Sequence, residues 1–300
     1  MTEKPISASG SLIERAAKAF DMGSILRPHV VAEPVAAPVA QSRPQSFEPK
    51  PAGAAFPIMQ SVDRMMLREQ GLIVPEAPPT GLSEEFRLIK RQLLLSALGG
   101  KGAVPVARGQ LILICSAHPN EGKTFSAVNL ALSMASESDI EVILVDADVA
   151  KPEILSTLGL PAGPGLMDAL DDPSLNVEDL LIRTDVPNLS VLPTGRQTNR
   201  DTELLASDST SRLIEGLIAG RPRRIVLFDS APALAASPAS TLALHVGQTL
   251  FVVRADSTSE SDIRDAVELL DNCPHIQLML NAVTCQAANR KFGSYYGFGE

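Results

Sequence analysis

Six short apolar runs limit what this chain can become. They are QLILIC (110–115), EVILVD (141–146), LSVLP (189–193), RIVLFD (224–229), TLFVV (249–253) and IQLMLN (276–281). Each has the length of a strand buried on both faces and is too short for a core helix. Between them lie segments with helical spacing, among them 122–136, 202–219 and 259–271. Strands alternating with helices imply an α/β fold of three layers, a mostly parallel central sheet covered by helices on both faces. Composition points the same way. Aliphatic residues abound, aromatics make up 4% and Trp is absent, which speaks against an aromatic-rich sandwich.

The first run opens onto Ser116-Ala117-His118-Pro119-Asn120-Glu121-Gly122-Lys123-Thr124, and helical spacing begins at Gly122. A strand, a short loop ending in G-K-T and a helix are the setting of a phosphate-binding P-loop. The N–H groups of such a loop turn inward, and the helix N-terminus adds partial positive charge. Lys123 can then reach β and γ phosphate oxygens, and the Thr124 hydroxyl can meet Mg²⁺. Ala117, His118, Pro119, Asn120, Glu121 and Phe125 are the further candidate nucleotide contacts. Gly122 permits a close backbone approach. The strict pattern asks for Gly where Ala117 stands. The fold expected is therefore that of a P-loop NTPase, with ATP and Mg²⁺ as cofactors.

Three carboxylates fall at strand ends: Asp146 and Asp148 after EVILV, and Asp229 after RIVLF. Taken singly, each also reads as a turn or capping residue. In an open parallel sheet, however, ligands bind outside the carboxyl ends of the strands. The loop and these carboxylates are thus expected to share one crevice. Mg²⁺ prefers oxygen ligands and keeps several waters, so one or two carboxylates beside the phosphates suffice.

The rest of the chain is less specific. Net charge is −9, a poor counterion for nucleic acid, so no such partner is expected. Cys115, Cys273 and Cys285 form no C-x-x-C pair, in keeping with a reducing compartment. The N-terminus has no secretory apolar region, and no uncharged apolar stretch reaches the ~20 residues of a membrane span. Residues 11–20 (SLIERAAKAF) have one apolar helical face, and 27–57 is a Pro/Ala-rich stretch that reads as a linker. From Gly81 an amphipathic helix follows, with Ser83 as its expected cap. The expected organisation is an N-terminal region over 1–80, a P-loop domain over 81–290 and a Gly/Tyr tail over 291–300.

The order of P-loop, then Asp146-Ala147-Asp148 after a strand, then Asp229-Ser230-Ala231-Pro232, resembles the bacterial tyrosine kinases of exopolysaccharide and capsule export. The likeness covers roughly 83–300. The second acidic motif, D-x-D-L-R-R-P in that family, reads DADVAKP here, with Ala150 for the first Arg. DADVAKP, SLIERA, GPGLMDAL (163–170) and LPTGRQTNRDTELLAS (192–207) look like its exosortase-associated branch. The resemblance implies a ring-like homo-oligomer through the 83–95 helix, where Glu84, Arg87 and Lys90 match E-x-x-R-x-x-R. It implies phosphorylation in trans of a terminal tyrosine cluster, here Tyr295 and Tyr296, the only two tyrosines of the chain. It also implies a separate membrane-spanning chain-length or adaptor protein, and hence a cytoplasmic protein held at the inner membrane through that partner.

The roles expected are Lys123 on the phosphates, Thr124, Asp148 and Asp229 around the metal, and Asp146 as base toward the tyrosine hydroxyl. Asn281, ending the last run, resembles an adenine-reading Asn of related P-loop proteins and reads equally as a turn residue. Two other readings stay open: a Min/Par-type ATPase switch, which His118 in place of a signature Lys opposes, and a nucleotide-bound regulatory subunit of an exporter.

Overall fold

All six apolar runs become strands of one sheet in the computed structural model, which describes residues 59–283 apart from 101 and 103. The strands are β1 (Leu111–Ser116), β2 (Glu141–Ala147), β3 (Ile182–Arg183), β4 (Leu189–Leu192), β5 (Arg224–Ser230), β6 (Gln248–Arg254) and β7 (Ile276–Asn281). Their spatial order is β3-β4-β2-β5-β1-β6-β7. Every pairing is parallel except that of β3 with β4. β3 is only two residues long and pairs as Ile182–Val191 and Arg183–Ser190, too short to leave a periodic signal.

Helices cover both faces, as the alternation implies. On one face Ile112, Ile114, Val142 and Leu144 pack against α2 (Gly81–Leu98) and α3 (Lys123–Ala135), through Phe86, Leu93, Val128 and Leu132. On the other, Leu113, Val145, Phe228 and Phe251 meet α7 (Asp208–Ile218), α8 (Pro238–Ala243) and α9 (Glu260–Leu269). β1 and β5 are buried along their whole length, which is why they read as unbroken apolar runs and not as alternating ones. After β5 the chain crosses β1 to reach β6. The carboxyl end of β1 therefore lies at a switch point of the topology, where such sheets bind ligands.

Three expectations need correction. The packed unit begins well before residue 81. Gln60 bridges to β3 by Gln60 N–H to Arg183 O and Asp185 N–H to Gln60 O. A short helix, α1 (Arg64–Glu69), capped by the Asp63 carboxylate, buries Leu67 completely. Asn129 of α3 accepts from Ile73 N–H at 2.8 Å. Only Val62, Leu67 and Leu72 of this segment are buried apolar side chains, too few to set up a period.

Second, α2 starts at Gly81, with Thr80 as its cap. Ser83 is the reciprocal member of the capping box: its N–H donates to Thr80 Oγ1, and its Oγ accepts from Thr80 N–H. Third, 202–219 is two helices, α6 (Asp201–Leu205) and α7, separated where Ser207 adopts an extended backbone. The remaining helices are α4 (Ile154–Leu158) and α5 (Leu166–Asp171). Segments 11–20 and 27–57 and the tail with Tyr295 and Tyr296 lie outside the described residues.

Among the described residues no helix is long and apolar enough to cross a membrane. If residues 59–80 belong to the folded unit, Leu67→Ala is expected to cost about 2–5 kcal/mol in urea unfolding, as buried Leu truncations do. Met65→Ala, at a position 70% exposed, is expected to change stability by less than about 0.5 kcal/mol. Equal effects from the two would contradict this packing.

Candidate functional site

The parallel register makes the site. Asp146 on β2 is directly beside Asp229 on β5, on strands about 4.8 Å apart. β5 in turn pairs with β1, whose end enters the P-loop. The expected convergence of loop and carboxylates is what the structure has. Lys123, the first residue of α3, reaches across the crevice: its Nζ lies 2.9 Å from Asp148 Oδ2. All four side chains are almost fully buried.

The carboxylates are short of partners. Asp148 Oδ1 accepts from Lys151 N–H, and Asp146 Oδ2 accepts from Ile154 N–H at 3.1 Å. Asp146 Oδ1 and both oxygens of Asp229 have no hydrogen-bond partner among the described residues. Burial pushes the Asp229 carboxyl up to about 8, despite the nearby Lys123 ammonium. Burial likewise raises Asp146 to about 6, against the pull of the Ile154 N–H. For Lys123, burial opposes the charge, but Asp229 and Asp148 outweigh it and hold the ammonium above its ordinary value.

Orphaned oxygens in a buried carboxylate normally call for a cation, water or proton. Asp229 therefore suits a hard divalent ion, with the Thr124 hydroxyl beside it at the start of α3 and Asp148 on Lys123. Among the described residues no three His, Cys, Asp or Glu side chains gather to hold a metal by themselves. A Mg²⁺ here would need phosphate oxygens and water to complete its shell.

The loop itself is tight. Gly122 has φ +97°, and a Cβ there would come 2.1 Å from Asn281 Nδ2. Asn120 is also left-handed, at φ 64°, a conformation that Asn tolerates better than most residues. Glu121 is 3% exposed. It does not face outward; its Oε2 accepts from His118 N–H at 2.8 Å and its Oε1 from the Thr258 hydroxyl. Asn281 donates to the Glu121 carbonyl at 2.9 Å, so it is at the loop, where it acts as a brace. Ala117 is fully buried behind the loop, and His118 pairs with Asp262 at 3.3 Å. Phe125 is only partly buried and packs on Phe86.

The stretches around 163–170 and 192–207 turn out to hold the acidic loop. Thr194 Oγ1 donates to Asp146 O at 2.9 Å, and Gln197 donates to Val149 O. Asp168 Oδ2 accepts from Gly165 N–H and Arg196 N–H, tying the two stretches together. Their contacts, and those of Thr258 and Arg254, could not be read from spacing because they join segments remote in sequence.

The three residues of the E-x-x-R-x-x-R match part company. Glu84 and Arg87 pair with each other at the surface. Lys90 is 5% exposed and points into its own domain, donating to Ser133 O at 2.8 Å and pairing with Glu137. It fastens α2 to α3, which removes it from the surface that a neighbouring copy would meet.

Known proteins resemble this arrangement. The tyrosine-protein kinase ptk of Acinetobacter johnsonii is 30% identical over 161 residues, 54% of this chain and 21% of that protein. The tyrosine-protein kinase YwqD of Bacillus subtilis is 27% identical over 205 residues, covering 68% of this chain and 82% of YwqD. The solved BceF tyrosine kinase domain superposes with a TM-score of 0.58 at 25% identity, over 74% of this chain and 90% of that one. The chain spans 30% or less of the length of the first curated relatives it matches. No family model matches it.

The raised Asp229 value has a consequence for stability. Its folded pKa of about 8 exceeds the ordinary 3.8, so the unfolded chain ionises first as pH rises. The stability that the protonated carboxyl contributes is complete below about 3.8 and is lost as pH passes through about 8. Without nucleotide or Mg²⁺, Asp229→Asn is expected to melt above the wild type, by a margin that widens from pH 6 to pH 9. A margin independent of pH would contradict the burial of an unpaired carboxylate.

Proposed function

We propose that the chain is a bacterial tyrosine kinase, an ATP-dependent protein-tyrosine autokinase acting in exopolysaccharide synthesis or export. The observation that carries this reading is the pairing of Asp146 with Asp229 across neighbouring strands, facing a P-loop lysine, with carboxylate oxygens unspent. Such a crevice suits a triphosphate and a divalent ion. It has no need of a covalent intermediate, since phosphoryl transfer rests on positioning and charge neutralisation.

In this reading Lys123 leaves Asp148 to take β and γ oxygens as the triphosphate enters. Thr124, Asp229 and Asp148 would hold Mg²⁺, which would supply charge neutralisation. Asp146 orients the tyrosine hydroxyl and accepts its proton. A carboxyl near 6 is mostly ionised at neutral pH, yet is more basic than an exposed Asp, which suits a general base. Asn281, a brace of the loop, would also read the adenine ring. The acceptors are Tyr295 and Tyr296, presented in trans. Arg87, exposed on α2, and its half-buried partner Glu84 would serve the contact between copies. A membrane-spanning partner of polysaccharide export would hold the protein at the inner membrane, and the motifs around DADVAKP favour the exosortase-associated branch.

His118 stands where Min/Par-type switches have their signature lysine, so the switch reading is the weaker one. The regulatory-subunit reading draws on Ala117 and Ala150, which depart from the kinase motifs, and on a terminal cluster of only two tyrosines.

Incubation with Mg-ATP followed by intact-mass and peptide mass spectrometry tests the proposal, with Lys123→Met alongside. Phosphate on Tyr295 or Tyr296 in the wild type and not in the variant is the expected result. ATP binding with no phosphotyrosine, even with segments of a membrane partner added, would favour the regulatory subunit.

A further inference from the structure

Three carbonyls of the P-loop backbone are each held by a side chain. The His118 carbonyl accepts from Ser116 Oγ at 2.8 Å. The Asn120 carbonyl accepts from Arg254 Nη1 at 2.8 Å. The Glu121 carbonyl accepts from Asn281 Nδ2 at 2.9 Å. Two of these donors come from the ends of β6 and β7, far from the loop in sequence.

A trans peptide is planar, with its C=O and N–H on opposite sides. Holding the Asn120 oxygen toward Arg254 therefore aims the Glu121 N–H the other way, and holding the Glu121 oxygen toward Asn281 does the same for the Gly122 N–H. Those are the donors that a phosphate-binding loop presents. Reversal of the Asn120–Glu121 peptide takes only rotation about two single bonds, ψ of Asn120 and φ of Glu121. Were it to flip, a carbonyl oxygen would face the phosphates and a donor would be lost.

The Arg254 backbone is itself anchored. Its N–H donates to Thr258 Oγ1 at 3.0 Å, and the Thr258 hydroxyl donates on to the buried Glu121 carboxylate. The next residue closes the frame, with Ala255 N–H on Asn281 O at 2.9 Å. A carboxylate inside an anion-binding loop would oppose phosphate if it were free. Here both Glu121 oxygens are spent, one on His118 N–H and one on Thr258.

We infer that Arg254, seated by Thr258, is a positioning residue that keeps the Asn120–Glu121 peptide turned so that its N–H serves the nucleotide phosphates. The inference rests on the phosphate-site reading of the loop. It concerns residues outside the G-K-T motif and the three carboxylates.

Arg254 is exposed, so its replacement leaves the core intact. The test measures equilibrium binding of Mg-ATP and of adenosine, with the melting temperature of the nucleotide-free protein, for wild type, Arg254→Ala and Arg254→Lys. Arg254→Ala is expected to weaken Mg-ATP about tenfold, the scale of one lost charge-assisted hydrogen bond. Adenosine affinity and the melting temperature are expected to stay at wild-type values. Arg254→Lys is expected to recover most of the loss, because an ammonium can also donate to a carbonyl. Wild-type Mg-ATP affinity in Arg254→Ala would overturn the inference. So would equal losses for ATP and adenosine together with a lower melting temperature, which would mean that Arg254 merely stabilises the fold. A wild-type protein that binds no Mg-ATP would defeat the phosphate-site reading itself, and the brace with it.

Discussion

The buried charge cluster at the carboxyl end of the sheet is the constraint on which the rest depends. One ammonium, Lys123, faces three carboxylates, Asp146, Asp148 and Asp229, all nearly without solvent. Such a cluster is costly, because like charges repel and water is not there to screen them. Raised values for Asp229 and Asp146 are the sign of that cost. A fold tolerates it only when the surrounding sheet is strong enough and a ligand repays the strain on binding. Here the sheet has six parallel strands, with β5 and β1 at its centre, and is packed on both faces.

From that constraint the other features follow in order. The parallel register sets Asp146 beside Asp229. The topology brings the end of β1 between β5 and β6, so the P-loop opens over the same edge. The second tier holds the first: Thr194 and Gln197 hold the acidic loop, while Arg254, Thr258 and Asn281 hold the phosphate loop. The two tiers come from opposite sides of β1, which leaves the crevice between them free for a ligand.

Much of this was legible in the sequence, for identifiable reasons. Central strands buried on both faces are unbroken apolar runs, and the six appear within about one residue of their observed ends. G-K-T between a strand and a helix is a local motif, so the phosphate loop was visible too. The register that joins Asp146 to Asp229 was foreseeable only as a consequence of the parallel sheet. What escaped was contact between remote segments. Lys90 looks like a surface base in an amphipathic pattern, yet its stem and ammonium are drawn inward by Ser133 O and Glu137. Leu67 gives too little apolar signal to show that 59–80 is docked. Glu121 reads as one more candidate nucleotide contact, and nothing near it in sequence names Thr258 as its partner.

The central claim is that the loop and the carboxylates form one site for a nucleotide with its metal. Calorimetric titration of ATP into the protein, with magnesium and with the metal chelated, tests it most directly. One-to-one binding that weakens clearly when magnesium is withheld is the result this account predicts. Binding of equal strength with and without the metal, or no binding at all, would contradict it.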